Sequence, residues 1–289
     1  MSYRLLREIL SDAQNENLKF WQVILNDNCR ENRITEKESF SKMTDMYIAM
    51  KEADSNYDSK AKSASGMAGG DGKLLEDFRK QPNRLIGDFL TKVIEKAVKM
   101  GESNACMKRI VAAPTAGSCG VIPAVLITYE EEKKVAQDRI IEALYVAGGI
   151  GEVIAQSAEI SGAKGGCQAE IGSASAMAAG AVVYLEGGDN EAIIHAAALA
   201  LKNMLGLTCD PVGGLVEVPC IKRNVSGAVN AIVSSQMAIA GIRSRIEPDE
   251  VIDSMKRIGN LLPECLRETS KDGLAITSSA IKIMENISS

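Results

Sequence analysis

Apolar residues recur along most of this chain at the three- and four-residue intervals of a helix face. Thr35-Glu36-Lys37-Glu38 has the form of a capping box, and Phe40, Met43, Tyr47 and Met50 follow it on one side, which predicts a helix. The pattern breaks between Ser55 and Gly72, where glycines at 66, 69, 70 and 72 oppose any regular element. Beyond Pro82 a stripe of Ile86, Phe89, Leu90, Val93, Ile94 and Ala97 predicts a second helix, with Gly101 placed to end it in a left-handed cap. Helices are also predicted over about 121–132, 138–147, 151–160, 168–186, 190–205, 226–243 and 248–259, the last with Pro248 in its favoured first turn. Strand-like alternation is found nowhere. The expected fold is all-α: a compact helical domain over 1–289, made of an N-terminal helical segment at 1–58 and a core at 59–289.

Three more irregular stretches interrupt this series: Pro114 to Gly120, Ser161 to Cys167, and Gly206 to Asn224, which carries Pro211, Gly213, Gly214 and Pro219. With the Ser63–Gly72 stretch they make four glycine- or proline-bearing loops in a helical body, and three of them hold a cysteine. The uncharged run from Ile171 to Leu185 is shorter than the roughly 20 residues a membrane span needs, so a buried core helix is expected there.

Composition narrows the function. Of 289 residues 46% are apolar and 25% charged, the profile of a soluble globular chain, and only 4% are aromatic, which calls for close packing of small side chains. Thirty-three basic against thirty-eight acidic residues give a net charge of −5, which disfavours a nucleic-acid partner. No secretory signal follows Met1, and a cytoplasmic protein without membrane contact is expected. Seven scattered cysteines then read as thiols or metal ligands rather than disulfides.

Cys167, Cys209 and Cys220 each sit at the edge of a loop whose glycines or prolines free backbone for close approach. Thiolates from three loops can hold three irons of a cubane cluster and leave the fourth open as a Lewis acid. Their spacing is equally that of buried cysteines that merely pack. For a substrate carboxylate, Ser63, Ser65 and the backbone amides of Gly66 to Gly72 offer an anion-binding nest, and Thr115 with Ser118 offers a second set of donors. Lys222, Arg223 and Asn224 adjoin Cys220. The single histidine, His195, lies in an alanine-rich helix and reads as a partly buried structural residue. Lys164 beside Gly165-Gly166 raises a pyridoxal-phosphate alternative, but that cofactor's fold needs strands. Gly148-Gly149-Ile150-Gly151 only hints at a dinucleotide loop.

Longer words carry more. Ala113-Pro114-Thr115-Ala116-Gly117-Ser118-Cys119-Gly120, Gly165-Gly166-Cys167-Gln168-Ala169-Glu170-Ile171-Gly172, Cys209-Asp210-Pro211-Val212-Gly213-Gly214 and Pro219-Cys220-Ile221-Lys222-Arg223-Asn224, with Ser65-Gly66 and Gly69-Gly70-Asp71, resemble the α chain of the iron–sulfur L-serine dehydratases over nearly the whole sequence. The resemblance implies a [4Fe–4S] cluster on Cys167, Cys209 and Cys220, and elimination of water from L-serine to give pyruvate and ammonia. It also implies a separate β subunit, because the family's Ser-Ser-His-Thr word is absent here. Candidates for the catalytic base and substrate contacts are Ser65, Asp71, Thr115, Ser118 and Asn224. Some fused members carry a terminal cysteine that caps the open iron. The stretch Met284 to Ser289 holds none, and Cys265 is expected to be structural. An L-cysteine desulfidase of similar helical cluster fold, and a non-catalytic scaffolding subunit, are the alternatives.

Overall fold

A computed structural model describes residues 2–82 and 84–288. Thirteen helices lie in this range: α1 Leu6–Asn15, α2 Phe20–Asn32, α3 Glu36–Ser55, α4 Asp71–Arg79, α5 Asp88–Ala105, α6 Val121–Lys133, α7 Gln137–Ser157, α8 Gly162–Gly165, α9 Ser173–Leu185, α10 Asn190–Lys202, α11 Cys220–Ile239, α12 Pro248–Leu261 and α13 Ser278–Ser288. Among the described residues there is no strand, and a single β-bridge joins Cys209 to Arg267. The fold is all-α, as the periodicity predicts.

Helix α9 forms the centre, and all 13 of its residues are buried. An element apolar on every side must be surrounded, and α6, α7, α10 and α11 enclose it. Its Ser-Ala-Ser-Ala-Met-Ala-Ala-Gly sequence lets those neighbours come close: a Cβ on Gly180 would lie 2.3 Å from Ile150 Cδ1. Ser175 clasps α9 to α11, donating to the Gly227 carbonyl at 2.8 Å and accepting from Asn230 Nδ2 at 2.8 Å. This is how a core poor in aromatic rings reaches full density. Helices α1 to α3 place Leu6, Ile9, Phe20 and Tyr47 in the same apolar cluster, so the N-terminal segment is helical and packed on the core. Thr35 and Glu38 close the predicted capping box, with Thr35 N donating to Glu38 Oε2 at 2.8 Å and Glu38 N donating to Thr35 Oγ1 at 3.2 Å.

Several boundaries differ from the sequence reading, each for a packing reason. The predicted helices 138–147 and 151–160 are one helix, α7, which runs through Gly148-Gly149-Ile150-Gly151. A Cβ at Gly149 would stand 2.5 Å from Ile24 Cδ1 and one at Gly151 2.6 Å from Met177 Cε, so these glycines admit neighbouring side chains and form no nucleotide loop. Helix α7 is long and apolar enough to cross a membrane, but 67% of its most apolar window is buried inside the fold. Gly101 caps nothing; it lies inside α5 and faces Ile221. Helix α4 starts straight after Gly70, which takes φ +94°, whereas the sequence predicts no helix between Gly72 and Pro82, because Leu74 and Phe78 of α4 are exposed. Helix α11 opens at Cys220, well before the predicted residue 226, and so carries Cys220 in its first turn.

Candidate metal centre

Three chain segments deliver the cysteines. The short α8 ends at Gly166, whose φ of +75° favours glycine, and Cys167 follows it into a π-helical turn, Gln168–Gly172, that leads into α9. Such turns are rare and gather at functional sites. Gln168 is fully buried and ties this turn to the next loop: it donates to the Gly165 and Met255 carbonyls at 2.9 and 3.1 Å and accepts from Gly206 N at 2.9 Å. Cys209 is held by the C-terminal segment, its amide donating to Leu266 O at 2.9 Å while Glu268 N donates to its carbonyl at 2.7 Å. Cys220 starts α11, with its carbonyl accepting from Asn224 Nδ2 at 3.0 Å. All seven cysteines are free thiols, and these three are buried.

The sulfurs of Cys167 and Cys209 and a carboxylate oxygen of Glu170 all lie within 4.8 Å of one another. Cys220 stands outside this tight group but within its field. Burial first, and then the charges of Cys167 and Glu170, push its thiol up to about 12. A hydrogen bond from Cys209, with the Arg223 guanidinium beyond, holds Cys167 below the ordinary thiol range against the effect of burial. That same bond, and then burial, raises Cys209. Glu170 is raised by burial, opposed by the hydrogen bond from Thr115, and raised further by the nearby charge of Glu268.

Glycines make room for these groups. A Cβ at Gly162 would lie 2.9 Å from both Cys209 Sγ and Glu170 Oε2 and 3.3 Å from Glu268 Oε2; one at Gly117 would lie 3.0 Å from Glu170 Oε1. Arg223 is the cation at the centre. It reaches Cys167, donates to Thr208 O at 2.7 Å and pairs with Asp210 at 2.8 Å. Two buried thiols and a carboxyl gathered around one small space repel one another once ionised, and a multivalent cation removes that cost. Soft sulfur donors select iron–sulfur or similar thiophilic centres, so the residues fit a cluster.

The other predicted site residues fall into two groups. Thr115 touches the centre through Glu170, and Ser118, fully buried, lies 3.1 Å from Thr115 Oγ1 and fixes its turn. Asn224 is saturated, bridging Gly117 O, Gly120 N and Cys220 O at 2.8, 2.8 and 3.0 Å, and so clips the Pro114–Gly120 loop to α11. Ser65 and Asp71 flank the Cys220 turn instead of facing the thiols: Ser65 and Ser63 both donate to Glu217 at 2.7 Å, and Asp71 pairs with Lys222 at 2.5 Å. The glycine-loop nest holds an anion that belongs to the protein, the Glu102 carboxylate, gripped by the amides of Gly69, Asp71 and Gly72. It is not open to a substrate carboxylate.

Cys119 is buried, pushed up to about 12 by burial, and placed for a weak S–H contact with Met100 O. His195 lies on α10, 3.7 Å from Glu191, and burial lowers it. Lys164 is exposed and paired with Glu159 at 3.0 Å. Met284 of α13 covers Gly213; Ser289 lies outside the described residues. The sequence reading missed Gln168, Glu170 and Glu268. The first two stand in the word around Cys167, at intervals of one and three residues, which is the only signal that marks them.

A helical body closed around a thiol–carboxylate centre is the architecture these observations define, and the chain belongs to the serine dehydratase alpha chain family, whose sequence model matches residues 15–275. It is similar to the probable L-serine dehydratase alpha chain of Bacillus subtilis (strain 168), 41% identical over 285 residues, which cover 99% of this chain and 95% of the relative. The L-serine dehydratase alpha chain of Peptoniphilus asaccharolyticus is 39% identical over 278 residues, 96% of this chain and 95% of the relative. L-serine dehydratase TdcG of Escherichia coli (strain K12) is 43% identical over 182 residues, 62% of this chain but 40% of that longer protein.

Proposed function

We propose that this chain is the α subunit of an iron–sulfur L-serine dehydratase, eliminating water from L-serine to give pyruvate and ammonia in the cytoplasm. The observation that carries the reading is the convergence of Cys167, Cys209 and Glu170 within 4.8 Å, with Cys220 alongside, in a member of this family. Two relatives named alpha chains support a separate β chain, and the longer Escherichia coli relative supports a fused counterpart.

Elimination from serine needs a weakly acidic Cα proton removed and hydroxide, a poor leaving group, expelled. When bound, a [4Fe–4S] cluster held by Cys167, Cys209 and Cys220 supplies Lewis-acid stabilisation of the charge that builds on the departing oxygen. The chain's own groups prepare the site. Arg223 favours the Cys167 thiolate, Gly162 and Gly117 leave space beside the donors, and Thr115 orients Glu170. Ser118 holds Thr115, while Ser65, Asp71 and Asn224 brace the Cys220 turn. Burial keeps bulk water from the donors, which strengthens every charge interaction there. The β chain completes the substrate pocket. The surface pairing of Lys164 with Glu159 supports cluster chemistry over a lysine Schiff base.

The test is pyruvate release from L-serine and L-cysteine by the anaerobically purified chain with its β partner. Iron and acid-labile sulfide are measured beside it in the wild type, Cys167→Ala, Cys209→Ala and Cys220→Ala. Serine turnover, with loss of iron and sulfide in each variant, is expected. Preference for cysteine favours a desulfidase, an iron-free inactive complex favours a scaffold, and metal without sulfide replaces the cluster by a single ion. Full inorganic content in all three variants overturns the ligand assignment.

A further inference from the structure

Among the described residues, Glu170 is the one carboxylate whose oxygen joins the sulfurs of Cys167 and Cys209 in a group no wider than 4.8 Å. It reaches that place from the π-helical turn that follows Cys167, three residues along the chain. Its surroundings are built around the carboxyl. Glycines on two separate loops, Gly117 and Gly162, approach it so closely that a Cβ on either would lie 3.0 or 2.9 Å from one of its oxygens. The Thr115 side chain lies beside it. Among the described residues no lysine, arginine or histidine forms an ion pair with it; its neighbours are thiols, a hydroxyl and the Glu268 carboxyl. A half-buried carboxyl with no cation paired to it, packed against buried sulfurs, is a costly arrangement unless a metal answers it.

We propose that Glu170 is the protein's own ligand to the iron not held by cysteine, a carboxylate that occupies that corner in the resting enzyme and gives way to the substrate. The inference rests on the cluster reading above. It gives the fourth corner an occupant drawn from the same turn as Cys167. Carboxylate oxygen is a harder and weaker partner for iron–sulfur centres than thiolate, which suits a ligand that must be displaced. Cys265 does not fill this place: its neighbour Leu266 bonds the Cys209 amide, but its own sulfur is not part of the close group.

The experiment uses the full chain, reconstituted anaerobically with the single labile iron supplied as 57Fe. Wild type, Glu170→Gln, Glu170→Asp and Glu170→Cys are compared by iron and sulfide content, by the Mössbauer spectrum of the labelled iron, and by the rate at which a chelator removes it. Glu170→Gln is expected to hold three irons and the sulfide but to lose the labelled iron about tenfold faster or more. Its Mössbauer parameters should differ from wild type, and Glu170→Cys should restore retention by supplying a thiolate. Glu170→Asp, a methylene shorter, should behave like Glu170→Gln and serves if the glutamine variant folds poorly. Identical spectra and loss rates in wild type, Glu170→Gln and Glu170→Asp overturn the assignment of Glu170 while leaving the cysteine ligands standing. A wild type that takes up neither iron nor sulfide overturns the cluster itself.

Discussion

The amide of Asp71 donates to the carboxylate of Glu102 at 2.8 Å, so a glycine loop shaped to hold an anion is closed by a residue of α5. Gly69 N at 3.2 Å, Gly72 N at 3.1 Å and the Tyr57 hydroxyl at 2.6 Å complete the grip on this buried group. Glu102→Ala should lower stability by about 3 kcal/mol, because it strands several buried donors at once. Lys222→Met, which breaks the half-exposed pair with Asp71, should cost under about 1 kcal/mol. Urea unfolding of both variants checks the contrast, and equal losses would show that the loop does not depend on Glu102.

Glycines within one helix should respond in opposite ways. Nothing lies within 4 Å of a Cβ built on Gly148, so Gly148→Ala should stabilise α7 by up to about 1 kcal/mol. Gly149→Ala meets Ile24 Cδ1 at 2.5 Å and should destabilise by about 1–3 kcal/mol. Thermal melts of the two single variants read the sign directly.

Arg223 and Asp210 form a buried pair at 2.8 Å, and Asp210 also accepts from Leu274 N at 2.9 Å, linking Cys209's loop to the C-terminal segment. Arg223→Met should cost about 3 kcal/mol by leaving Asp210 without its counter-charge. The double variant Arg223→Met with Asp210→Asn should recover part of that loss. A double-mutant cycle in urea that finds no coupling would remove the pair from the account of how Cys209 is held.

Acid should weaken one corner of the ion-pair network. Glu76 is drawn down to about 2 by its hydrogen bond from Lys73 and then by that from Lys99. A carboxyl held below its ordinary 4.5 contributes stability above that pH, and the contribution disappears as pH falls toward about 2. Glu76→Gln should therefore differ from wild type in melting temperature at neutral pH, and the two should converge in strong acid.

Helix class and the cysteine loops were legible because both are local signals: apolar spacing for α3, α5, α6 and α9, and glycines or prolines beside Cys167, Cys209 and Cys220. Other features depended on distant partners. Gly149 reads as a break until Ile24 is seen against it, and Gly101 reads as a cap until Ile221 packs there. Glu102 shows nothing in sequence of the three amides it would bind. Glu268, far along the chain from Cys209, joins the centre only because the single β-bridge at Arg267 brings it there.

That bridge has a bearing on the protein's biosynthesis. Cys209 takes its place only when Leu266 and Glu268 are present to bond its peptide groups. A ribosome delivers those residues well after Cys209 itself, so this thiol's loop waits for a later stretch of chain before it can close. Inorganic assembly on this polypeptide is thereby deferred until that stretch has been made, and a chain stopped before it would lack one wall of its metal chamber.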